Sequence, residues 1–514
     1  MRRLGFAAKC LPLSAPADRT DSRRHAKLPD DRPPLLVSDP RRRLMLFPTS
    51  GFLLFFLAVA AAMALLGSRF TAKKAVLVVA SYYFYAQWDW RFCFLLAFST
   101  TVSYAAGRLI GATASNDRRR LILAIGVALH LGLLGIFKYL DFFVLSANRL
   151  AHLLGLEHEL SFFEVLLPVG ISFFTFHGIS YITDVYRGDV RVCRSPLDMA
   201  LYMSFFPQLV AGPIVRAAYF LPQLARPSTE PIPLAPALLL IAGGLFKKVV
   251  MANYLATGLV DPVFAAPTSY GGPDLLLAVY GYAVEIYCDF SAYTDIAIAV
   301  AALAGFRFPA NFNQPYRAER LREFWQRWHI SLSTWLRDYL YKPLGGNRHG
   351  RLKTYRNLMI TMLLGGIWHG AGWKFVAWGA LHGGGLAAER MLEPWLGRRP
   401  RGPAARALGI LLVFHFVCFA WIFFRAEDFQ LAWLYLAGFG AGWRYGVQQA
   451  GPLMVALIAL GLAGQFTPDA LFDRTAAALA RLPAWGLGAT AGILVAAINA
   501  LGPEGVAPFI YFRF

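Results

Sequence analysis

MLLGGIWHGAGWKFVAWGALHG, residues 362–383, sets two histidines among glycines and tryptophans in an otherwise apolar text. It lies in an apolar run from Leu358 to Leu386, longer than the roughly 18 to 20 residues a helix needs to cross hydrocarbon. Apart from one lysine, its only ionisable side chains are His369 and His382. Ionisable groups at membrane depth are costly to desolvate and mark reaction or transport paths. Comparable apolar runs recur from Gly51 onward, including Leu275 to Leu303 and Trp485 to Leu501. A hydrophobic fraction of 57% with only 16% charge places the 514 residues in the polytopic membrane class rather than among soluble domains. The expected fold is all-α, with about 10–12 transmembrane or re-entrant helices centred near residues 58, 80, 97, 128, 172, 205, 245, 288, 365, 415, 458 and 493.

The net charge of +20 does not point to nucleic acid. The basic residues fall mainly in short loops between apolar runs, as the positive-inside rule requires. Loops such as 117–120 and 397–401 are expected on the cytoplasmic side, against anionic lipid headgroups. Five cysteines stand alone, with no CxxC pair and no zinc spacing, so neither a disulfide framework nor a metal is expected.

Residues 1–44 differ from all that follows: polar, rich in Pro and Arg, and without hydrophobic periodicity, they read as a disordered basic extension. They hold eleven Lys or Arg against five Asp, which accounts for +6 of the +20. At Met45 the text turns to MLFPTSGFLLFFLAVAAAMALL, the expected start of translation and of a single membrane domain over 45–514. Downstream, Pro168, Pro207, Pro213, Gly243-Gly244 and Gly365-Gly366 interrupt several apolar segments. Breaks of this kind are tolerated at depth where the freed backbone finds protein or water, which indicates a buried cavity.

The longest polar interruption, 307–356, carries helical periodicity at its centre. Leu321, Phe324, Trp325, Trp328, Leu332, Trp335, Leu336 and Tyr339 form one stripe on a continuous wheel, an interfacial or re-entrant amphipathic helix with His329 at its edge.

Two histidines carry the chemical expectation. His369 is enclosed by Gly365, Gly366, Gly370 and Gly372, which let backbone approach a ligand, and an imidazole serves as a base near neutral pH. His329 follows Trp328 in FWQRWHISLSTW. For each the plain alternative is a packing histidine hydrogen-bonded between helices. No GxSxG elbow accompanies Ser331 or Ser333, and Gln326-Arg327-Trp328 lacks the spacing of a glycosyltransferase motif. Glu285 and Asp289 share a helix face and relay protons or, on the blander reading, neutralise arginines such as Arg317 or Arg337. His152, Glu157 and His158 lack a ligand spacing. His177 and His382 read as packing or cavity-lining groups.

Five blocks carry a family resemblance: LPVGISFFTFHGISYITDVYRG (167–188), FFPQLVAGPIVR (205–216), YCDFSAYTDIAIAVAALAGFRFPANFNQPY (287–316), EFWQRWHISLSTWLRDYLYKPLGGNR (323–348) and the opening 362–383, with APFIYFRF (507–514) at the end. The chain from Met45 resembles the membrane-bound O-acyltransferase family, in its bacterial branch of alginate O-acetyltransferases. The resemblance implies helices around a central tunnel through a bacterial inner membrane, the principal catalytic histidine at His369 and a second at His329. It implies acetyl-CoA as donor substrate with no further cofactor, a polysaccharide acceptor such as alginate-like exopolysaccharide or peptidoglycan, and an SGNH-type extracytoplasmic partner. Trp328, Trp368, Asp289 and His177 are then tunnel-lining candidates. Arg337, Lys342 and Arg348 are candidates for the phosphates of CoA, although positive-inside topology alone puts cations there. His177 departs from the glutamine expected in this branch, and residues 1–44 have no counterpart. The competing readings are a transporter of a lipid-linked or anionic saccharide and D-alanyl transfer to teichoic acid.

Overall fold

The computed structural model describes residues 45, 47–156, 160–161, 166–227, 229–396, 402–440, 442–443, 446–503 and 509. The 1–44 extension, Glu157 and His158, the 397–401 loop and the closing 507–514 block apart from Phe509 lie outside the described residues. Among the described residues every regular element is helical. Those that build the site are α1 (Asn116–Leu134), α2 (Ile171–Arg187), α3 (Gly272–Leu303), α4 (Leu321–Arg327), α5 (Ile330–Leu336), α6 (Arg351–His369), α7 (Trp373–Leu396) and α8 (Pro403–Arg425).

Five described helices are long and apolar enough to cross a membrane: Phe92–Ala112, Asn116–Leu153, Leu234–Ala265, α3 and α8. A sixth span results if Pro452–Phe466 and Asp469–Leu479, bent by 91°, count as one. The remaining apolar segments of the sequence are shorter, broken or charged helices. Many of these face protein instead of lipid, which is why α2 is almost wholly buried although His177, Asp184 and Arg187 interrupt its apolar residues. The most apolar window of α3 is 72% buried against 17% for Asn116–Leu153, so α3 is the central helix and the other is peripheral.

Four local features depart from the sequence reading. The stripe from Leu321 to Tyr339 is not one helix: α4 ends at Arg327, His329 takes a left-handed conformation (φ 43°), and α5 starts at Ile330. The extended segment before Gln314 satisfies the broken backbone, Asn313 N–H donating to Arg327 O (2.9 Å) and Ile330 N–H to Asn311 O (2.8 Å). A continuous helical wheel has no term for such a partner. His329 is therefore fully buried at a helix junction, not at the rim of a surface helix.

Two acidic residues of α3, Asp289 and Asp295, pair with lysines, not with Arg317 or Arg337. Asp289 meets Lys248 at 2.7 Å and Asp295 meets Lys247 at 2.5 Å, because a π-helical stretch, Phe246–Ala252, packs along α3. Arg337 is taken by its own neighbour, Asp338. The glycines around His369 also serve another purpose than ligand approach. A Cβ on Gly379 would stand 2.5 Å from Met362 O, and one on Gly366 would collide with Phe375 O, so α6 and α7 touch backbone to backbone. A Cβ on Gly370 would collide with the Phe375 ring.

Candidate active site

His369 is the last residue of α6, and its ring stands in an aromatic box. Its centroid lies 5.0 Å from those of Trp368 and Trp378 and 5.2 Å from that of Phe424, all at steep angles. The α6–α7 hairpin supplies His369 and Trp378; α8 supplies Phe424. Beyond Trp368 stands His329, its centroid 6.1 Å from the same indole. The two imidazoles, forty positions apart, thus flank one tryptophan within about 11 Å of each other, the two centroid distances laid end to end.

The orientation of His329 follows from its neighbours. Asn311 Oδ1 accepts from the Ser331 backbone N–H (3.0 Å) and from Ser331 Oγ (2.8 Å), so that atom is the amide oxygen. His329 Nδ1, 3.2 Å from the same oxygen, must then carry the proton. The lone pair is left on Nε2, which is buried and has no hydrogen-bond partner among the described residues. A buried acceptor without a donor costs free energy, and such atoms in a native fold call for a functional account. Phe290 of α3 meets the ring edge-on at 4.7 Å and completes its enclosure.

His369 is held from the backbone side. Lys138 Nζ donates to Trp368 O (2.6 Å) and His369 O (3.1 Å), and approaches Ser172 Oγ at 3.4 Å. Tyr139 Oη donates to Ile367 O at 2.9 Å. These are carbonyls of the last turn of α6, which have no acceptor role left within the helix. Both residues sit in a π-helical turn, Gly135–Tyr139, that interrupts the span after α1. Sequence reasoning missed Lys138, although a lone lysine in LHLGLLGIFKYLDFF is the same signal that drew attention to His369. It missed Asn311 as well, and nothing short of the fold reveals that partner.

The other candidates divide. Trp368 joins the two histidines. Trp328 is core packing, against Phe312 and Trp421 at 5.1 and 5.2 Å. His382 accepts from Trp325 Nε1 (3.3 Å) and lies tilted against Trp378, centroids 4.7 Å apart, one ring away from His369. His177 is fully buried beside Tyr202, and neither ring nitrogen has a partner among the described residues. It lies one turn beyond Phe173, which touches Trp368. Asp289 faces Lys248 and lines a small void with Phe47 and Tyr293, away from the histidine pair.

Arg337, Lys342 and Arg348 converge on one cavity of about 730 Å³, joined by Arg320, Arg322 and Arg390. Two glutamates also line it. The carboxylate of Glu389 is engaged by the Leu321 and Arg322 backbone N–H groups at the start of α4. Asp338 anchors the cationic wall, meeting Arg216, Arg337 and Lys342 at 2.8, 2.9 and 2.8 Å. Burial alone would raise the Asp338 carboxyl, but hydrogen bonds from Arg337, Lys342 and Arg216 outweigh it and hold the group below the usual carboxylate range. The cavity wall includes Thr361 and Met362 of α6. At about 1.5 Å rise per residue these stand roughly 10 to 12 Å along the axis from His369. Among the described residues no cluster of His, Cys, Asp or Glu is placed to hold a metal.

The described residues thus form an all-helical membrane body with buried imidazoles at a helix end and a cation-lined cavity farther along the same helix. The chain belongs to the membrane-bound O-acyltransferase family, whose model matches residues 189–433, and it is a multi-pass membrane O-acetyltransferase. It is 42% identical to a probable alginate O-acetylase AlgI of Pseudomonas aeruginosa, over 77% of this chain and 75% of that protein. With the probable AlgI of Pseudomonas putida it shares 39% identity, over 91% of this chain and 100% of that one. A peptidoglycan O-acetyltransferase of Helicobacter pylori is 37% identical over 71% and 73%.

Proposed function

We propose that the enzyme takes an acetyl group from acetyl-CoA held at the basic cavity and passes it at the histidine pair toward an extracytoplasmic polysaccharide. An SGNH-type extracytoplasmic protein is a partner of this transfer in the cell. The observation that supports this reading is the cavity: six basic side chains against two glutamates, sharing α6 with His369. Arg and Lys at such a mouth match the phosphates of a CoA donor through charge-assisted hydrogen bonds. An alginate-like exopolysaccharide is the first acceptor to test, given what the relatives are called, and peptidoglycan the second.

The chemistry needs a positioned nucleophile and a base. An acceptor hydroxyl oxygen attacks the thioester carbonyl carbon while His369 takes the hydroxyl proton. The tetrahedral adduct collapses with loss of the C–S bond, and the proton passes to the departing thiolate, giving an acetyl ester and free CoA. His329, with its lone pair on Nε2, accepts a hydrogen bond from a second hydroxyl of the acceptor sugar and so orients the attacking one. The aromatic box excludes water, which would otherwise hydrolyse the thioester.

The test uses the full chain in lipid vesicles with labelled acetyl-CoA and alginate oligosaccharides, beside cells assayed for acetate esters on their polymer. His369→Ala is expected to insert normally and to lose acetyl transfer by about 10²- to 10⁴-fold, the range of a general base. Full transfer by that variant would overturn the assignment. Movement of saccharide without ester formation would favour a transporter.

A further inference from the structure

We propose that Lys138 is a positioning residue for acyl transfer: its ammonium closes the C-terminal end of α6 and so fixes the backbone from which the His369 imidazole projects. The inference rests on reading His369 as the base of that transfer. Three observations carry it.

Lys138 Nζ meets the carbonyl of His369 itself (3.1 Å) and that of Trp368 (2.6 Å), the indole shared by both histidines. These carbonyls end a helix, where the backbone dipole presents negative charge and a cation is favoured. A lysine in a membrane segment is retained against its desolvation cost only where it finds such partners. The helix also ends abruptly. Gly370 is extended (φ −162°), and Gly372 N–H turns back to Gly370 O at 3.1 Å.

The second observation is the π-helical turn Gly135–Tyr139. One extra residue in a helix re-aims the side chains beyond it, and such turns are frequent at functional sites. Here it directs Lys138 and Tyr139 together to three successive carbonyls, those of Ile367, Trp368 and His369. The third is the cation–π contact of Lys138 Nζ over the Trp368 ring, 5.8 Å from its centroid, which couples the same ammonium to the orientation of the indole between the imidazoles. Lys138 thus grips both the backbone and the ring that set the spacing of the pair.

The experiment compares Lys138→Met, Lys138→Arg and His369→Ala in the full chain, reconstituted in lipid vesicles with labelled acetyl-CoA and alginate oligosaccharides. A displacement of about 1 Å at a reacting group costs up to about 10²-fold. Lys138→Met is therefore expected to lower kcat by about 10- to 100-fold with the KM for acetyl-CoA within about two-fold, and Lys138→Arg, which keeps donors and charge, to recover most of the loss. A purely structural lysine would instead lower the amount of folded enzyme and leave kcat per folded molecule unchanged. If Lys138→Met does not accumulate in the membrane, Lys138→Gln replaces it and is held to the same kcat criterion. Wild-type kcat in a folded neutral variant, with His369→Ala inactive, overturns the role of Lys138 alone. Activity in His369→Ala overturns the reading on which it rests.

Discussion

His329 and His369 are both buried beside Trp368, yet they are held in opposite ways. The His329 ring is fixed through its side chain, by the Asn311 oxygen on Nδ1, while its backbone sits in a left-handed bend that disrupts a helix. The His369 ring is framed by Trp368, Trp378 and Phe424, while its backbone is tied through the last carbonyls of α6 to Lys138 and Tyr139. Tautomer and position are thus separate problems. A ring whose proton must stay on one nitrogen needs a fixed polar partner; a ring that exchanges its proton in turnover needs its frame fixed.

The largest expected effect that tests this contrast is on the base itself, and His369→Ala has been given above. Next is His329→Asn, which keeps a residue that tolerates positive φ and removes the imidazole. Thermal unfolding in detergent should move by no more than roughly 1 kcal/mol while kcat falls by about 10²-fold. A marked loss of folded protein would mean that the ring is held there for packing. Asn311→Leu should follow with about a 10-fold loss of kcat, since it unlocks the tautomer without touching the base, and Asn311→Asp should retain more activity because a carboxylate accepts the same Nδ1 proton. Equal kcat in the Leu and Asp variants would break the argument for a fixed tautomer.

The two regions were not equally legible in the sequence. The apolar runs and the Trp-His pairs are visible because hydrophobic length and an ionisable group inside it leave a local trace, and the family blocks place His369 and His329 residue by residue. The break at His329 left no trace. Its stripe remains periodic across the bend, and the bend exists because Asn311 and Asn313, more than ten positions away, supply its backbone partners. Gly366 of α6 reads as a ligand cradle until the backbone of α7 is known to fill it. Lys247 and Lys248 had the charge to pair with α3 but sat in a π-helical stretch that no 100° wheel anticipates. In each case the missing information was a long-range neighbour, which composition and periodicity do not carry.

Moving from the histidines to the basic cavity, the expected effects shrink because each cation is one of six. Arg348→Ala combined with Arg390→Ala should raise the KM for acetyl-CoA by about 10-fold with kcat nearly unchanged, and the loss should narrow as salt is added, as exposed charge interactions are screened. A fall in kcat with constant KM would move these arginines out of donor binding and bring the two regions closer in role than proposed.

The smallest effect belongs to Asp338, the anion on which Arg216, Arg337 and Lys342 converge. Its folded-state pKa lies below the unfolded value, so its contribution to stability is fully present above about pH 4 and is lost as pH falls through the depressed folded value. The magnitude is on the order of 1 to 2 kcal/mol, because the arginine and lysine partners Arg337 and Lys342 are more than half exposed and screened by solvent. Wild-type enzyme should therefore lose thermal stability more steeply than Asp338→Asn as pH falls below about 4, and the variant should be the less stable of the two at pH 7. Parallel curves would mean that the three cations hold their places without the aspartate. The cationic wall would then be organised by the backbone elements that carry the cations, as the aromatic box around His369 is organised by its helices.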